Sequence, residues 1–278
     1  MIVQTARMEF SRVVILGCGY AGLRVLTLAR TRALPVFATV RSSEREAPLR
    51  AAGAEVLVAR RLGPEIDAQL GPDARVVVAF PADPETDSWL APRLRRAHSV
   101  VYISSTGVYG ELRGRIDDGT SLPAAADARV SKLRAAEYTY REAGACVLRC
   151  PAIYGPDRGL HVRVLRSEHV IPGDGSHVLS RVHAEDLAQF ALSQRSAAGE
   201  TYVVGDLEPA PHIDVVRFIC SSYGAPLPAS APLESMHASL RADRAVDASR
   251  ALARLDVSLR FPSYRQGMAP EATGLRRL

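Results

Sequence analysis

Cysteine is scarce in this chain, and its few copies lie apart. Cys18, Cys146, Cys150 and Cys220 show no C-x-x-C spacing and no histidine at metal-ligand distance. That pattern argues against a disulfide framework or a structural zinc site, and for reduced thiols used as small apolar residues. Aromatics make up only 6% of the chain, with six Phe, nine Tyr and one Trp and no interleaving of basic and aromatic side chains, which leaves a nucleic-acid role without support. No apolar run reaches the length of a membrane span. No block of five like charges occurs either; the net charge of +5 comes from scattered arginines, a balance that favours small anionic ligands. The opening stretch, Met1 to Phe10, has neither a basic leader nor an apolar core, so the expectation is a soluble cytoplasmic protein.

What is present is a repeated theme. Short apolar runs, Val13 to Leu16, Val36 to Val40, Glu55 to Ala59, Arg75 to Phe80 and Val100 to Ser104, alternate with polar, helix-compatible stretches such as Gly22 to Arg32 and Ser43 to Ala52. Continuous rather than alternating apolar character marks strands buried on both faces, hence a parallel sheet with helices on either side. Two more strands are expected at Ala145 to Arg149 and Thr201 to Val204, giving a doubly wound α/β sheet of about seven strands. Residues 10–156 with 180–206 read as this sheet domain. Residues 157–179 with 207–278, rich in Pro and Gly, read as a smaller C-terminal lobe of loops and short helices that would bind the substrate.

At the end of the first run stands Gly17-Cys18-Gly19-Tyr20-Ala21-Gly22, a G-x-G-x-x-G between strand and helix. Gly17 permits a tight turn, Gly19 lets a pyrophosphate approach the backbone, and Gly22 allows close helix–strand packing, while the helix N-terminus offers N–H groups to the anion. The fold expected is therefore of Rossmann type, with Tyr20 and Ala21 lining the turn and Phe80 and Pro81 following the fourth strand beside it. The second strand ends Thr39-Val40-Arg41-Ser42-Ser43, without a carboxylate until Glu44. A free ribose 2′-OH calls for an acid there and a 2′-phosphate for arginine, so Arg41 and Ser42 favour NADP(H) over NAD(H). FAD is excluded, since the second strand lacks its Glu and no second glycine turn exists.

Four later segments resemble the extended short-chain dehydrogenases/reductases of the NAD(P)-dependent epimerase/dehydratase branch. They are Val100 to Gly110 (VVYISSTGVYG), Val147 to Pro156 (VLRCPAIYGP), Ser180 to Ala188 (SRVHAEDLA) and Tyr202 to Asp206 (YVVGD). Phe261 to Gly267 is similar to the family's closing segment. The resemblance implies cofactor contacts from Ser104, Lys132, Pro151 and Ile153, a substrate-positioning hydroxyl at Ser105, and Lys132 as the lysine of Y-x-x-x-K. The tyrosine of that pair is absent: its position is Ala128. Thr106 and Gly107 stand where the family's dehydratases carry Asp-Glu, which argues against sugar dehydration. Tyr109 is the candidate to replace the phenol as proton donor; Tyr154 and His183 are further ones, His183 having a capping role as its alternative. Tyr138 and Tyr140 should point away from Lys132.

The function expected is an NADPH-dependent reductase of a small carbonyl, imine or conjugated alkene. An epimerase or isomerase, or a redox-silent NADP-binding sensor or interaction module, is the alternative. A metal is not expected. Arg158, His161, Arg163 and Arg166 would meet an anionic substrate or form a solvated face. Neither nucleic acid nor membrane is an expected partner, and the chain would be a monomer or homodimer.

Overall fold

A computed structural model describes residues 10–124, 127–237 and 240–276. The strands, in chain order, include β1 (Arg12–Leu16), β2 (Val36–Val40), β3 (Ala54–Val58), β4 (Ala74–Val78), β5 (Ser99–Ser105), β6 (Gly114–Ile116), β7 (Cys146–Cys150), β8 (Ala152–Tyr154), β9 (Ile171–Pro172), β10 (Val178–Leu179), β11 (Arg181–His183) and β12 (Thr201–Val203). The main helices are α1 (Tyr20–Thr31), α2 (Glu46–Ala51), α3 (Pro84–Leu94), α4 (Ala128–Glu142), α5 (Leu160–Leu165), α6 (Ala184–Ala191) and α7 (His212–Tyr223).

Among the described residues the chain forms two compact units. The first, residues 10–104, 134–148 and 188–201, is built on a seven-stranded sheet of order β12-β7-β5-β4-β1-β2-β3. This is the parallel, doubly wound architecture expected. Pairing is parallel from β3 through β2, β1 and β4 to β5. Every residue of β2, β4 and β7 is buried, as a sheet covered on both faces requires. Strand β3 differs: it is the sheet edge, and Glu55 faces solvent between the buried Ala54 and Val56. Helix α1 buries Gly22, Val25, Leu26 and Ala29, an i, i+3, i+4, i+7 stripe that seats it on the sheet.

The second unit covers residues 105–133, 149–187 and 202–276. Parallel β8 and β11 pair in it, and β10, β6, Ala210–Pro211 and Arg244–Val246 make a four-stranded sheet. Its larger core gathers Tyr154, Leu160, Val164, Val215, Val216, Ile219, Tyr223, Tyr264 and Met268. Helix α7 is a full 12-residue helix where loops and short helices were expected. Pro211 is its N-cap, outside the helix, and Gly224 ends it at φ +75. The prolines that suggest broken structure thus mark only its boundary. Residues 157–179 likewise hold the short helix α5 inside an otherwise irregular path. No helix among the described residues is long and apolar enough to cross a membrane.

Candidate functional site

In the first unit, β1 delivers the chain to Gly17 at φ +83, a left-handed conformation that favours glycine. A Cβ at Gly17 would lie 2.7 Å from Phe80 Cβ, so Phe80 closes the back of the turn by packing against its backbone. At Gly22 a Cβ would meet Ile15 Cγ2 at 3.0 Å, the close helix–strand approach read from the motif. Gly19 is different. Its nearest neighbour would be the Gly17 carbonyl at 3.9 Å, so the chain leaves this side of the turn open.

Helix α1 follows Gly19, its N-cap, with no side-chain cap and no acid in its first turn. Its leading N–H groups and positive end are therefore left for an anion. The turn is held by Thr39 of β2, whose Oγ1 accepts from Gly17 N at 2.9 Å and whose carbonyl accepts from Cys18 N at 2.7 Å. Thr39 was readable only as a strand residue, since its role depends on β1–β2 register. Arg41 is exposed beyond the end of β2. Ser42 has a local task as well, accepting from Glu44 N at 3.4 Å. A further basic residue belongs here: Arg45 lies near enough to Cys18 to offset part of the burial that pushes the thiol up to about 11. These residues fit a dinucleotide phosphate.

The family-like residues are placed unevenly. Ser104, expected at the cofactor, is buried in the first unit and donates to Glu137 Oε1 at 2.6 Å. Glu137, five residues after Lys132 on α4, carries no sequence signal for this bond. Tyr140 donates to Asp87 Oδ1 at 2.6 Å and stacks on Tyr102, while Tyr138 is 60% exposed; both point as anticipated.

In the second unit, Ser105 Oγ accepts from Gly107 N at 3.0 Å, capping the turn Thr106–Tyr109. Lys132 is exposed on α4, one turn beyond Ala128. Pro151 and Ile153 are half-buried on and before β8. Tyr109 requires a correction. It is fully buried, donates its hydroxyl to the Asp117 carbonyl at 3.3 Å, and accepts from Arg149 Nη1 at 3.0 Å. A phenol committed on both sides is not placed to protonate a substrate. Tyr154 is also core, its hydroxyl over the Ser263 carbonyl at 3.5 Å and its phenol pushed up by burial. His183 is structural: its Nδ1 accepts from Glu185 N at 3.2 Å at the start of α6, and its ring lies 3.9 Å from that of Phe261.

Nor does the expected basic quartet gather. His161 is buried against the Pro156 carbonyl at 3.2 Å, Arg163 meets His169 Nδ1 at 3.2 Å, and Arg158 and Arg166 are exposed. The interior instead contains a polar cluster that sequence reasoning missed. His169 Nε2 lies 2.9 Å from His212 Nε2, and His177 stacks on His212 at 5.2 Å. Burial pushes His169 down to about 4 and His212 lower still, the latter aided by Arg181 and the neighbouring imidazoles. Nearby, burial raises Asp206 to about 7 despite Arg181. No metal-holding group of His, Cys, Asp and Glu occurs among the described residues.

Sheet, turn and uncapped helix define a doubly wound α/β protein with a glycine turn open to an anion. Residues 90–205 match the NAD dependent epimerase/dehydratase family, so the family resemblance drawn from the motifs is borne out. No curated protein matches the chain. Among solved structures, a conserved protein of unknown function from Silicibacter pomeroyi is 26% identical, with 95% of this chain and 98% of that one covered at a TM-score of 0.81. MoeE5, solved with UDP-glucose and NAD, is 20% identical over 92% and 96%, at 0.73. The UDP-glucuronic acid 4-epimerase of Bacillus cereus, solved with NAD, is 16% identical over 94% and 96%, also at 0.73. The last two are likenesses of fold.

Proposed function

We propose that the protein binds NADP(H) and reduces a small metabolite. The observation that carries this reading is the uncapped start of α1 over the open side of Gly19, with no acid in the helix's first turn to repel phosphate. Gly17, Gly19 and Gly22 would hold the diphosphate, and Arg41, seconded by Arg45, the 2′-phosphate. When bound, the cofactor supplies hydride chemistry; the protein supplies orientation and charge. Ser105 would position the substrate oxygen. Lys132 would bind the ribose, with no phenol at Ala128 to activate. The proton would come from water, since Tyr109 is held in the core.

An NAD(P)-dependent epimerase is the second reading, favoured by the epimerases among the structural neighbours. It asks more of the site, because a base must first take a hydroxyl proton. The partner class in either case is a small molecule.

The nucleotide assignment is tested by titrating wild type and Arg41→Ala with NADPH and NADH. NADPH should weaken about tenfold or more in the variant while NADH is unaffected. Equal loss of both would remove the 2′-phosphate role, and no binding of either by the wild type would end the enzyme reading.

A further inference from the structure

Two arginines of the second unit lie at a place that the sequence does not single out. Arg129, in the first turn of α4, is exposed and makes no hydrogen bond or ion pair with any described residue. Its guanidinium lies over Gly107. A Cβ at Gly107 would be 3.1 Å from Arg129 Nη1 and 3.2 Å from Ser105 Oγ. The φ of Gly107 is not in the left-handed region, so the backbone does not demand glycine here. A side chain there would press on the guanidinium, on Leu133 and on the Ser105 hydroxyl, each of which would have to give by a few tenths of an ångström.

A second guanidinium lies within electrostatic reach of the first. Arg244, nine-tenths buried, donates to the Gly110 carbonyl at 2.6 Å; burial lowers its pKa, and the charge of Arg129 lowers it further. Two cations held near one another repel unless an anion sits by them. Glu111 offsets part of this repulsion at Arg244, and Asp127 uses Oδ1 to cap Val130 N at 2.7 Å, leaving Arg129 itself without an ion pair among the described residues. A hollow of about 290 Å³ in the first unit, lined by Arg75 and Arg95, differs in kind. There Arg75 and Arg95 donate to the Ala191 and Glu142 carbonyls at the ends of α6 and α4, capping helix C-termini.

We infer that Arg129 is a specificity-determining residue that binds an oxyanion, a carboxylate or phosphate, on a substrate whose reacting oxygen is held by Ser105. This rests on the reductase reading for the identity of the reaction, but the anion contact stands on geometry of the second unit alone. Arginine suits it because a planar fork can grip two oxygens where lysine offers one point of charge. The residue next to the missing phenol would thus select substrates without exchanging a proton with them.

Calorimetric titration with oxalate and, separately, inorganic phosphate, both without nucleotide and against chloride of equal ionic strength, tests the contact. The wild type should bind at least one of the two, the preferred arm telling carboxylate from phosphate. Arg129→Ala should weaken that binding about tenfold, Arg129→Lys less, and Gly107→Ala should weaken it by displacing the guanidinium. Wild-type affinity in Arg129→Ala, or no binding beyond chloride in the wild type, overturns the proposal. NADPH titrated into the same samples separates the two readings: loss of nucleotide binding by the wild type would sink the reductase and leave the oxyanion result to be judged by itself.

Discussion

A hydroxyl is useful to chemistry only while a lone pair or proton remains uncommitted, and the two hydroxyls of the Ser105–Tyr109 turn differ on this point. Ser105 accepts one backbone bond and keeps its proton. Tyr109 gives its proton to Asp117 and takes one from Arg149. Ser105→Ala is therefore expected to abolish NADPH oxidation with a competent substrate; a variant turning over at the wild-type kcat would discard the positioning role. Tyr109→Phe should leave kcat intact and cost about 1–2 kcal/mol of stability, because a buried guanidinium loses an acceptor. Steady-state rates and denaturant midpoints on one preparation tell these apart, and a large fall in kcat for Tyr109→Phe would restore the phenol to catalysis.

At the level of elements, the parallel strands and glycine turn were legible because local apolar runs and a fixed glycine spacing encode them. Helix α7 was not, since Pro209 and Pro211 precede it and look like interruptions. Side-chain fates were harder still. That Ser104 turns to Glu137, or that Tyr109 is buried, depends on neighbours 33 and 40 residues away, and no local pattern reports them. Asp186 illustrates both sides. Its place in the S-R-V-H-A-E-D motif gives no hint of a distant partner, yet its two oxygens accept from Arg260 N at 2.7 Å and Phe261 N at 3.0 Å. This carboxylate ties α6 to the closing segment. Asp186→Ala should cost about 2–3 kcal/mol, since two backbone donors lose an ionised partner, with faster hydrogen exchange at 260 and 261. Unchanged exchange there would show that the tether is dispensable.

Across the whole molecule, stability should depend on pH through the interior histidines. In the folded state His169, His177 and His212 are held below their ordinary value by burial, with Arg163, Arg181 and Arg113 adding repulsion and Asp243 and Asp174 opposing it at His177. The unfolded chain takes up protons below about pH 6.5 that the fold refuses. Their contribution is thus complete above that pH and declines as pH falls towards 4. Asp206 works in the other direction, since its raised value makes the fold favour the proton as pH drops below about 7. Three imidazoles outnumber one carboxyl, so the melting temperature at pH 5 should lie below that at pH 7. Equal melting temperatures would mean that the His169–His212 pair is already protonated in the fold. His169→Gln should narrow the difference.

Cys18 occupies the middle of the glycine turn, where modification would block any phosphate. Because burial holds its thiol near 11, on the order of one molecule in ten thousand is thiolate at neutral pH. Alkylating reagents and peroxides, which attack the anion, find almost none of it. The turn therefore carries sulfur at its centre without becoming a redox-sensitive point.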